Sequence, residues 1–150
     1  MEEQVESARP GRAEAVARVA ELLAGGRAPA VYLVEVDRFD DLHASDPDGA
    51  LEAMEDIAQR LDRILRSSDL LASDGPGRFV LVGAEVVPEV AGSLLERVEG
   101  ATALPVDVAG QVLSLRVAVG VGLARPDASP PESAEALVER AEMDLRRRLG

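Results

Sequence analysis

The stretch AVYLVEVD, residues 30 to 37, limits the fold more than any other. Ala30 to Val34 are continuously apolar, too dense for a strand with one wet face, so the run predicts a central strand covered on both sides. It ends in Glu35-Val36-Asp37, and strand alternation puts the two carboxylates on one face. Paired acids there have two readings. They are either the place where a buried strand meets water or a potential seat for Mg²⁺ in phosphoryl chemistry.

The rest of the chain supplies elements to cover that strand. Val16, Val19, Ala20 and Leu23 recur at helical spacing from Arg12 to Ala24, and Gly25-Gly26 stops the helix. Asp46-Pro47-Asp48 reads as a turn. After it Ala50, Met54, Ile57, Ala58, Leu61, Ile64 and Leu65 stripe a long helix. Two apolar runs around Gly75-Pro76-Gly77 predict a hairpin, and another helix follows Pro88 with Val90, Ala91, Leu94, Leu95 and Val98 on one face. Runs over Leu104 to Val108 and Val112 to Leu123, split by Ala109-Gly110, predict a second hairpin. Beyond the loop RPDASPPES, Ala134, Leu137, Val138, Ala141 and Leu145 mark the last helix. Helices mixed with antiparallel hairpins give an α+β class, a mostly antiparallel central sheet with helices packed on it. The expected division is an N-terminal extension and helix over 1–27 and one globular unit over 28–150.

Apolar residues make up 47% of the chain but aromatics only 2%, so the core has to be aliphatic and stacking surfaces for bases are scarce. With 16 basic against 28 acidic residues the formal charge is −12, which repels a nucleic-acid backbone. The absence of cysteine removes disulfides and thiolate metal sites. MEEQVESARP lacks the basic and apolar regions of a signal peptide, and no apolar run approaches ~20 residues. The expectation is a cytoplasmic protein without membrane or nucleic-acid partners.

EVDRF before a long helix, then RSSDLLAS, a five-residue tip and FVLVG, resembles a GGDEF domain, the diguanylate cyclase fold. LLERVEG, SLRVAVGVGLA and ALVERAEMDL extend the resemblance over about residues 28 to 148. The family joins two GTP molecules into cyclic di-GMP with Mg²⁺ held by acidic side chains. Its Gly-Gly-Asp/Glu-Glu-Phe signature falls here on Gly75, Pro76, Gly77, Arg78 and Phe79, matching at the first and last positions. Two expected carboxylates are thus a residue without a side chain and a guanidinium, which has five donors and no acceptor and repels a divalent ion. By the same resemblance Glu35 stands at the first metal-binding Asp, Asp40 at a Lys, His43 at the guanine-reading Asn and Leu149 at a phosphate-contacting Lys. The Asp-X-Leu-Thr opening before the first helix is absent.

The resemblance therefore implies a vestigial active site at Glu35, Asp37, Gly75 and Arg78, with no metal, no required cofactor and no cyclase activity. Arg78 enters the strand beside Glu35 and Asp37, so its guanidinium is expected to pair with them where the ion would sit.

Upstream, Arg66-Ser67-Ser68-Asp69 keeps the spacing of the family's Arg-X-X-Asp site for cyclic di-GMP, with Arg97 at the place of a second arginine. An arginine fork bonds a guanine edge or a phosphate, and a carboxylate accepts from guanine N1 and N2. The alternative is structural: Arg66 complements a helix C-terminus and Asp69 is a common turn residue. His43 reads as a surface residue, and Arg146 to Arg148 as dipole compensation. Two functions follow, a cyclic di-GMP receptor signalling to an unidentified protein partner, or a nucleotide-independent interaction module on the same scaffold. A homodimer is compatible with either.

Overall fold

The computed structural model describes residues 9–84, 88–103, 105–108, 110–125 and 132–149, and of residues 88–90 the backbone alone. Leu104, Ala109, the side chain of Val90, most of the RPDASPPES loop and the first eight residues, all part of the sequence reading, lie outside the description.

In chain order the elements are α1 (Arg12–Ala24), β1 (Ala30–Val36), α2 (Phe39–Ser45), α3 (Pro47–Ile64), β2 (Leu70–Ser73), β3 (Arg78–Gly83), α4 (Pro88–Ala103), β4 (Val106–Val108), β5 (Gln111–Leu113), β6 (Val117–Leu123) and α5 (Ala134–Leu149). The central sheet has the order β2-β3-β1-β6 with every described pairing antiparallel. The AVYLVEV run is indeed an interior strand, and alternation splits its side chains between two cores. Tyr32, Val34 and Val36 face Ile57 and Leu61 of α3 and Leu94 and Val98 of α4. Val31 and Leu33 face Val19 of α1 and Leu137, Ala141 and Leu145 of α5. Glu35 continues the second set, which directs it towards α1 and α5.

Two readings change. Asp46-Pro47-Asp48 is no free turn: the Asp46 carboxylate accepts from Gly49 N–H at 3.0 Å and Pro47 opens α3, an N-cap followed by proline at the first helical position. The residues before it form α2, whose seven residues bury only Phe39 and so draw no apolar stripe. The run Val112 to Leu123 is two strands, not one. β5 pairs with β4 in a separate two-stranded sheet, and Ser114 to Arg116 carry the chain over to β6, which pairs with β1.

Gly120 and Gly122 explain how α5 lies so close on β6. A Cβ at Gly120 would sit 2.3 Å from the Ala141 carbonyl oxygen, and one at Gly122 would sit 2.4 Å from that of Leu137. The alternating glycines of VAVGVGLA are the floor on which the last helix rests. No described helix is long and apolar enough to cross a membrane.

Candidate functional site

The tip between β2 and β3 is where the fold concentrates charge. Glu35 and Arg78 are cross-strand partners in the β1–β3 register. Arg78 donates from Nη2 at 2.7 Å and Nε at 3.0 Å to Glu35 Oε1. The same guanidinium lies 3.4 Å from Asp74 and 3.5 Å from Glu142 of α5. Arg12, in the first turn of α1, completes the cluster by donating to Asp74 at 2.8 Å and Glu142 at 3.0 Å. Two guanidiniums thus serve three carboxylates, and the central one, Asp74, keeps only 10% of its side chain exposed. Burial pulls the Arg78 pKa down, but its hydrogen bond and charge contact with Glu35, joined by those with Asp74, outweigh that and hold it above the ordinary arginine value.

The expected pairing of Arg78 with Glu35 is present, and its pairing with Asp37 is not. β1 ends at Val36, so Asp37 has left the strand alternation. Its N–H donates to Arg116 O at 2.8 Å and its carboxylate lies 3.6 Å from Arg116 Nη1.

The tip itself is folded down onto α2. Gly77 has φ +76, its C=O accepts from Val36 N–H at 2.8 Å, and a Cβ there would stand 2.7 Å from that of Phe39. Only glycine fits both the left-handed backbone and the close approach. Phe39, Pro76, Gly77 and Arg78 form a wall between two cavities. One, about 510 Å³, is lined by Glu35, Asp40, Asp41 and Asp74 against Arg38 and Arg78. The other, about 390 Å³, lies beside His43, Leu51, Met54 and Glu55. Phe39 and His43 rings lie 5.8 Å apart.

Arg66, Asp69 and Arg97 gather at the C-terminal end of α3. Asp69 Oδ2 accepts from Arg66 N–H at 3.1 Å, and its Oδ1 accepts from Ala84 N–H at 3.0 Å, so the carboxylate ties this turn to the end of β3. Arg97 donates from Nη2 to Ile64 O, two residues before Arg66. Both arginines are exposed, and among the described residues the Arg66 guanidinium has no partner. Arg18 of α1 donates to Ser68 O at 3.1 Å, inside the same turn. Behind it lies buried Tyr32, whose O–H donates to Ala91 O at 3.3 Å; burial, and then the charge of Asp69, push its pKa up to about 12.

Sequence reasoning missed Arg12, Asp74 and Glu142. One signal was available: a cation in the first turn of a helix opposes the dipole and calls for compensating carboxylates.

Known structures share this fold. The diguanylate cyclase SiaD of Pseudomonas aeruginosa, solved in complex with its activator SiaC, is 27% identical with a TM-score of 0.82, over 95% of this chain and 56% of SiaD. A sensory box/GGDEF family protein from Caulobacter crescentus is also 27% identical, with a TM-score of 0.78 over 91% of this chain and 90% of its own. The chain has the fold of a GGDEF domain. The GGDEF domain of DgcB from Caulobacter crescentus, solved with c-di-GMP, shares the fold at 17% identity and a TM-score of 0.75, over 90% of this chain and 77% of that one. No protein-family model and no curated protein matches the sequence.

On this GGDEF fold the signature positions fall at the β2–β3 tip, and the residues there do not fit a divalent ion. Glu35 is taken up by Arg78, the neighbouring signature position is Gly77, and no group of three or more metal-ligating side chains converges among the described residues.

Proposed function

We propose that this chain is a catalytically inactive GGDEF domain that binds cyclic di-GMP at the Arg66 turn and passes the signal to a protein partner. The observation that carries the reading is the exposed Arg66 guanidinium, unpartnered among the described residues, in a turn whose backbone Asp69 fixes on both sides. Arg97 supplies a second fork at the same helix end. Two arginines match the ligand's two phosphates, and the guanine edge suits a bidentate fork. The c-di-GMP complex of the DgcB GGDEF domain supports the ligand class, and the SiaD complex with its activator SiaC supports output through a second protein.

Inactivity follows from charge. A nucleotide triphosphate entering the acidic cavity would meet Glu35, Asp40, Asp41 and Asp74 without the ion that would offset them. Arg78 is a fixed internal cation, and it has no acceptor with which to hold Mg²⁺.

Titration calorimetry with cyclic di-GMP tests the receptor reading. Micromolar binding that Arg66→Ala abolishes is the expected result, and no heat at that concentration refutes it. Incubation with GTP and Mg²⁺ or Mn²⁺ is expected to yield no cyclic di-GMP; any turnover overturns the claim of inactivity. The second reading, a nucleotide-independent interaction module, is favoured by one fact. Both Asp69 oxygens and one Arg97 nitrogen already bond the backbone, so these residues have structural work without a ligand.

A further inference from the structure

Helix α1 touches both ends of the 66–78 stretch. At its start, Pro10 O accepts from Ser73 N–H at 2.8 Å and Arg12 binds Asp74 at 2.8 Å beside the hairpin tip. Further along, Arg18 holds Ser68 O at 3.1 Å within the Arg66–Asp69 turn. Its apolar side, Ala15, Val19 and Leu22, is buried in the core shared with α5. We infer that α1 couples the Arg66 turn to the hairpin tip, moving as one body so that the state of either end is felt at the other. The ligand-driven use of this coupling rests on the receptor reading above.

A helix of 13 residues is marginal alone, so its position is set by what it docks on. The polar anchors at its start and middle fall on the two places where a GGDEF fold of this sequence carries its candidate chemistry. Arg12 is also the hinge of the charge cluster. It shares Asp74 and Glu142 with Arg78, so a shift of the first turn changes how Arg78 is held. Ligand phosphates at Arg66 would order the Ser68 carbonyl and tighten the Arg18 anchor. The outer residues Ala13, Glu14, Ala17, Ala20 and Glu21 are exposed, so a change in α1 is legible to a partner.

Hydrogen–deuterium exchange of the whole chain reads this directly. Without ligand, Arg12→Met is expected to speed exchange several-fold in α1 and also in residues 66–69. Arg18→Met is expected to speed it in α1 and at the tip, residues 73–78. Arg12→Lys, a milder break, should give the same pattern at smaller amplitude. Effects confined to the mutated end overturn the coupling. With cyclic di-GMP, wild type should gain several-fold protection in both the turn and α1, and Arg18→Met in the turn alone. Protection of the turn with α1 unchanged overturns the ligand-driven step and leaves the receptor standing. No protection anywhere refutes the receptor, and the ligand-free comparison still decides the coupling.

Discussion

Arg78 and Glu35 face each other across β3 and β1, and two nitrogens of the guanidinium converge on a single carboxylate oxygen, at 2.7 and 3.0 Å. This pair sits at the β2–β3 tip, where the cation beside Glu35 is tethered to the chain. The pair is about three-quarters buried, with 27% and 28% of the two side chains exposed, so it is shielded from solvent far better than a surface pair.

Removing that cation strands its partners. In Arg78→Met, Asp74 and Glu142 keep Arg12 while Glu35 loses the guanidinium it faces, and the cost is expected to be about 2 kcal/mol in urea unfolding. Arg78→Lys should recover only part of it, because an ammonium cannot reproduce the forked contact. A wild-type midpoint matched by Arg78→Met would show the cluster contributes nothing.

The packing of α5 on β6 predicts opposite outcomes for one substitution. Gly120→Ala drives a methyl into the Ala141 carbonyl and the Leu145 Cβ, 2.3 and 2.6 Å away, and should cost about 1–3 kcal/mol. Gly100→Ala, in α4 with nothing within 4 Å, should instead stabilise by about 0.5–1 kcal/mol through helix propensity. Thermal midpoints of the two variants moving in the same direction would contradict this account of the interface.

The strand at residues 30 to 36, the four long helices and the first hairpin were legible because each carries an apolar period of its own. Arg78 opposite Glu35 was legible because hairpin and strand are neighbours. α2 was not, since Phe39 alone is buried and no periodicity forms. The break between β5 and β6 was hidden because Leu115 keeps the run apolar while the strands change sheets. The Arg12 contacts join residues 62 and 130 positions apart, and no local pattern encodes such distances. Asp69 was read both as a turn residue and as a ligand contact. The structure places its carboxylate on two backbone N–H groups, an assignment that depends on Ala84 returning at the end of β3.

Acid should unfold the protein through the α5 side. Burial raises the Asp144 pKa, but Val121 N–H and the Arg147 and Arg148 guanidiniums outweigh it and hold the carboxyl below its usual range. Glu132 is held low by Arg140 and by Arg125 N–H against burial. Because both pKa values are lower in the folded state, the unfolded chain takes up protons first. The stabilisation is complete above the ordinary carboxylate range and is lost as pH falls through the folded values. Urea midpoints from about pH 7 to about pH 3 should therefore hold steady and then drop. Asp144→Asn should lower the neutral value and flatten the drop; an unchanged acid slope would assign the loss to other groups.

Tyr32 offers an internal probe, since the chain has one tyrosine and no tryptophan. Its pKa is pushed from 10.0 to about 12, by burial first and by the Asp69 charge second. A phenol held protonated by the fold contributes stability that is intact below the unfolded value and is lost as pH rises towards the folded one. The near-ultraviolet absorbance of phenolate should accordingly appear only near that upper value, together with unfolding. Asp69→Asn removes the smaller cause and keeps an oxygen for Ala84 N–H, so the transition should move down without reaching the free-tyrosine value. Tyr32→Phe should abolish the transition and cost about 1 kcal/mol for the lost bond to Ala91 O. A Tyr32 titration that ignores Asp69→Asn would show that the charge at the Arg66 turn is not felt in the core beneath it.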